Sequence, residues 1–94
     1  MIIVSGRIYV RSGARQAFLT SSREVIAQAR GALGCSDFVV AADPIEPDRV
    51  NVYEEWASEE ALLAFRGDGP EHDLSSSIVR ADVSRHVVSS SGPA

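Results

Sequence analysis

The sequence predicts an α+β domain of the order β-α-β-β-α-β, a four-stranded antiparallel sheet with two long helices on one face. Three observations carry this. Four segments, 2–10, 37–42, 49–56 and 81–88, alternate their side chains with the period of a strand. Two others recur at helical spacing, one before the second strand and one after the third. The proline-rich stretch DPIEPDR joins the second and third strands as a hairpin. This order is the split βαβ arrangement called ferredoxin-like.

The first strand is β-branched, with Ile2, Val4, Gly6, Ile8 and Val10 on one face and Ile3, Ser5, Arg7 and Tyr9 on the other. Ser12 is placed to cap a helix starting at Gly13, and Phe18, Ser22, Val25, Ala29 and Ala32 form its apolar stripe. Gly34 stops it. The second strand, Asp37 to Ala42, sets Phe38, Val40 and Ala42 on one side. In the hairpin, Pro44 and Pro47 each remove a backbone donor, so the loop cannot slide into the ladder and the register of the next strand is pinned. That third strand places Val50, Val52, Glu54 and Trp56 together, opposite Asn51, Tyr53 and Glu55. Ser58 with Glu59 and Glu60 opens the second long helix, which carries Ala61, Leu62 and Phe65 and ends at Gly67. A loop, RGDGPEHD, leads to a short helix around Leu74–Val79 and a last strand, which sets Val83, Arg85 and Val87 against Asp82, Ser84 and His86. Residues 1–88 form one domain, and the small polar tail 89–94 packs on nothing.

Composition narrows the class. The chain has 94 residues, 45% hydrophobic and 23% charged, which suits a soluble globular domain. Its net charge of −4 and its scattered arginines argue against a nucleic-acid partner. No apolar run approaches the ~20 residues of a membrane span. Cys35 is the only cysteine, which excludes an intrachain disulfide and points to a reducing, cytoplasmic compartment. The N-terminal MIIVSGRIYV reads as a strand and not as a secretion signal. No metal-ligand spacing, nucleotide-binding glycine motif or nucleophile elbow is present.

With both helices on one side, the other sheet face carries Ile3, Arg7, Tyr9 and Tyr53 and is expected to be covered by a second copy, sheet against sheet. On the helix side, Glu54 is a carboxyl group on an otherwise apolar face, which requires a partner or a raised pKa. It can serve as a base or sit in an ion pair with an arginine. Trp56 can stack on a ligand and donate its indole N–H, or anchor the core. Gly6 either leaves a gap that suits a flat ring or relieves packing. His72, in the loop expected over the pocket mouth, has a side chain suited to proton abstraction or stands idle in solvent.

Gly34-Cys35, Asp43-Pro44, Tyr53-Glu54-Glu55-Trp56 and Glu60-Ala61, spaced as they are, resemble the antibiotic biosynthesis monooxygenase family, and the likeness runs over nearly all of residues 1–88. The resemblance implies a dimeric α+β barrel with a pocket between sheet and helices in each subunit. Relatives include cofactor-free quinol and polyketide monooxygenases, haem-degrading enzymes and an isomerase. Gly6 and Ser75 stand near the haem degraders' asparagine and histidine positions, which argues against haem. Phe65 stands where many relatives carry a histidine. The expected activity is a cofactor-independent oxidation of a small electron-rich aromatic. His72, Glu54 and Trp56 are the catalytic candidates, and Gly6, Phe38, Val52 and Phe65 the binding ones. The alternatives are a non-catalytic dimeric binding protein, or an isomerase of a small metabolite using Arg7 and Arg66.

Overall fold

A computed structural model of the chain describes residues 1–67 and 75–94. The elements are β1 (Ile2–Val10), α1 (Arg15–Arg30), β2 (Cys35–Ala42), β3 (Arg49–Trp56), α2 (Glu59–Gly67), a single 3-10 turn (Ser75–Ser77) and β4 (Ile78–Val87). The sheet is antiparallel in the order β2-β3-β1-β4, as the ferredoxin-like reading requires.

Boundaries moved where local propensity met tertiary contacts. Helix α1 starts at Arg15, and Ser12 does not cap it; Ala14 occupies the cap position with no side-chain hydrogen bond. Strand β2 begins two residues earlier than expected, at Cys35, because Cys35 pairs with Trp56 across an irregularity before Asp37. The short helix shrinks to one 3-10 turn and β4 starts at Ile78, where it extends the ladder with β1 to Val10.

Alternation is complete on β3. On the helix side, Val50, Val52, Glu54 and Trp56 of β3 are all buried, between Ile2 and Val4 of β1 and Phe38 of β2. Helix α1 lays Phe18, Ser22 and Ala29 on this face; the Ser22 hydroxyl donates to the Phe18 carbonyl, so its burial leaves no orphan. The Arg30 guanidinium donates to the Phe38 carbonyl and ties the end of α1 to β2. Leu62, fully buried, anchors α2. Opposite each other on the bare side stand Asp37, Glu55, Ile3 and His86, and next to them Val39, Tyr53, Ser5 and Ser84. Arg7 lies on this side too, paired with Asp82 at 3.5 Å, so it is not a pocket cation.

The β2–β3 hairpin is held by more than its prolines. One oxygen of Asp43 accepts from the amides of Ile45 and Glu46, and the other accepts from the Asn51 side chain at 2.9 Å. Asn51 in turn accepts from Arg49 at 2.7 Å. From α1, Arg15 donates to the carbonyls of Asp43, Glu46 and Arg49 and so docks the helix on the loop. These donors, the Glu46 amide first, hold the Asp43 carboxyl at about 2, below its ordinary 3.8. A depressed pKa contributes stability above the unfolded value and loses it as pH falls through the folded one. Asp43→Ala is therefore expected to melt several degrees below wild type at neutral pH. The gap should narrow as the pH of the melts is lowered from 4 towards about 2.

Candidate functional site

Strand period puts Glu54 and Trp56, two residues apart, on one face, and β3 lies between β1 and β2, so both point into the helix layer. The Trp56 indole N–H donates to Glu54 Oε1 at 2.9 Å. The expected ion pair of Glu54 with an arginine is not found among the described residues: its partner there is the tryptophan. Trp56 is fully buried and Glu54 is 8% exposed. Among the described residues nothing else bonds to Glu54, and no sealed side-chain oxygen or nitrogen lacks a partner. Its second oxygen, Oε2, has no partner among the described residues.

Aromatic rings gather at Trp56, the residue that holds this carboxyl. Phe65 comes from α2 to lie 5.4 Å from the Trp56 ring at 35°, and meets Phe38 edge-on at 6.0 Å. Such contacts add about 0.5–1.5 kcal/mol each beyond buried area. Close approach of α2 makes them possible. Gly34, at φ 86°, would put a Cβ 2.6 Å from that of Ala61, and its carbonyl accepts from the Ala57 amide at 2.7 Å. Four of the predicted residues, Phe38, Glu54, Trp56 and Phe65, thus converge, with Val52 buried beside them.

Gly6 requires a correction. It sits on the same face, opposite Val52 and Val83, but its backbone lies at φ 153° and a Cβ there would stand 2.0 Å from the Asp82 carbonyl. A side chain there would run into the β4 backbone; the glycine is demanded by close strand approach, not by room for a ring. His72 lies outside the described residues. Arg66 is exposed at the end of α2.

Sequence reasoning passed over Arg85. The β1–β4 register aligns it with Val4, and Val4 with Glu54, so Glu54, Val4 and Arg85 form one row on the helix side. Strand spacing separates the ends of that row by about 10 Å. Arg85 is half exposed and pairs with Glu59 at the start of α2, 3.0 Å away. Val83 beside it is 37% exposed, so β4 offers a partly open apolar strip with one cation. Parity alone had grouped Arg85 with Val83; only the pairing partner assigns that group to the helix side.

Cys35 packs against the same cluster. Burial pushes its thiol up, the nearby Glu54 and Asp37 charges add to the rise, and a backbone hydrogen bond at Asp37 opposes it. It is thus a packing residue, not an activated nucleophile. A separate cavity of about 460 Å³ lies between the α1–β2 turn and α2, lined by Leu33, Gly34, Ala57, Ser58, Ala61 and Ala64; none of the predicted site residues reaches it. No group of three or more metal-ligating side chains occurs among the described residues, and none of the described helices is long and apolar enough to cross a membrane.

The profile of one family, antibiotic biosynthesis monooxygenase, matches residues 1–72. The chain belongs to that family. Solved structures of the same fold include Rv0793 from Mycobacterium tuberculosis, 19% identical over 98% of each chain with a TM-score of 0.81. PA3566 from Pseudomonas aeruginosa is 17% identical over 95% of this chain and 94% of its own, with a TM-score of 0.80. A protein described as an antibiotic biosynthesis monooxygenase is 19% identical over 98% of this chain and all of its own, with a TM-score of 0.76. No curated protein matches the sequence.

Gly6→Val is expected to cost about 2–3 kcal/mol or more, because the new side chain must push β4 away or strain the backbone. Chemical denaturation checks this; a variant as stable as wild type would show that the strands part easily at Gly6.

Proposed function

We propose that the protein is a cofactor-independent monooxygenase for a small planar phenol or quinol, with Glu54 as the base. The observation that carries this reading is the half-satisfied carboxyl of Glu54: one oxygen held by Trp56, the other without a partner among the described residues, on a strand position paired with Phe38. A buried carboxyl is costly to keep on an apolar face, and an unused oxygen on it is well placed to take a hydroxyl proton. Membership of the family supports the monooxygenase chemistry. Trp56 cannot also donate to a developing oxyanion, since its single N–H is engaged by Glu54.

The substrate supplies every electron. Removal of the hydroxyl proton makes the ring a reductant for O₂; one oxygen atom ends on the ring and the other leaves as water. For a naphthoquinol the balance is quinol plus O₂ to hydroxynaphthoquinone plus water, with no outside reductant. Phe38, Phe65 and Val52 would seat the ring, and the apolar surroundings would keep water from the anion.

The active species is proposed to be a homodimer closed over the bare sheet face. Ile3, Tyr9 and Tyr53 are half-buried on that face and His86 is exposed there. A hydrogen bond to Glu55, then burial and the acidic charges of Glu55 and Asp37, raise the Tyr53 hydroxyl above its usual pKa.

Oxygen uptake with a panel of naphthoquinols tests the activity. Glu54→Gln should lower the rate by about 10²-fold or more, in the range of a lost general base, while His72→Ala retains it. Uptake that depends on His72 and not on Glu54 would assign the base to the histidine. Light scattering should give twice 10.1 kDa, and Tyr53→Arg should shift the protein towards monomer.

A further inference from the structure

We infer that Trp56 is the positioning residue of the site, and that through Glu54 it makes the pocket selective for ligands bearing an O–H or N–H donor. This deepens the reading of Glu54 as the polar end of the site and rests on it.

Glutamate has three side-chain torsions, and an unrestrained carboxyl group near a surface swings towards water. Here the Trp56 indole holds Oε1 at 2.9 Å. Trp56 itself is held: it is fully buried, tilted against Phe65, and packed in the cluster with Ile2, Ala29 and Leu62. A rigid donor on a short lever thus orients the whole carboxyl and leaves Oε2 without a partner among the described residues. No described cation reaches it; Arg85, on the same row, is occupied by Glu59. An acceptor held in one direction on an otherwise apolar face rewards a donor on a ring and penalises an ether oxygen, which cannot donate and leaves Oε2 desolvated.

The probes are 2-naphthol and 2-methoxynaphthalene, equal in ring and different in one donor, with affinities measured by calorimetry. Wild type is expected to favour 2-naphthol by about tenfold or more, the scale of one hydrogen bond to a charged or strongly polar acceptor. In Trp56→Phe that ratio should collapse towards one, with the affinity for the ether held within about twofold, since the phenyl ring keeps most of the packing. A role confined to packing would weaken both probes alike and leave the ratio intact, which overturns the positioning role but not the reading of Glu54. Equal binding of both probes by wild type, or no binding of either, overturns both. Should Trp56→Phe fail to fold, the single tryptophan provides a second measurement. Its one indole N–H resonance in ¹⁵N-labelled protein should move upfield and exchange faster in Glu54→Leu. A resonance unchanged by Glu54→Leu overturns the inference.

Discussion

Everything at the candidate site depends on the register of β3. Val50, Val52, Glu54 and Trp56 share the buried side because the strand alternates, and they stay there only while the strand does not slip. A slip of one residue would expose Trp56 and bury Asn51, Tyr53 and Glu55. The register is defended at both ends. At the start, Asp43 binds the loop amides and Asn51, while Arg15 ties the loop carbonyls to α1. At the finish, the Ala57 amide donates to the Gly34 carbonyl, which locks the exit of β3 to the entry of β2.

This explains why the hairpin uses so many polar contacts for a surface loop. The prolines prevent the wrong pairing, but they supply no attraction of their own. Attraction comes from a carboxylate with three donors and an arginine with three carbonyls. A loop tied down in this way holds the register of β3, and with it the side of the sheet on which Glu54 and Trp56 lie.

The two glycines with functional weight work by contact distance. Gly34 lets α2 approach until Ala61 nearly touches the chain, and that brings Phe65 onto Trp56. Gly6 lets β4 approach β1. The site is thus walled by rings on the α2 side and bounded by a tightly drawn strand on the other. The open part of the helix side lies along β4, where Val83 and Arg85 remain exposed.

The fold was legible in the chain because period 2 and period 3.6 are local properties, and a hairpin between two prolines leaves few topologies. The grouping of Val52, Glu54 and Trp56 followed from parity alone, and the family from short motifs at fixed spacing. What local pattern could not contain was partnership. Glu54 bonds to Trp56 because both side chains fold back towards each other in a packed interior. Glycine spacing likewise could not say what stands opposite: a missing side chain reads the same beside a ligand gap as beside a neighbouring backbone, and at Gly6 it is the Asp82 carbonyl. Arg85 was visible as one member of an alternating strand, but its side of the sheet is a property of the β1–β4 ladder, joined across more than seventy residues of chain. Sequence period decides which residues travel together; only non-local pairing decides what they meet.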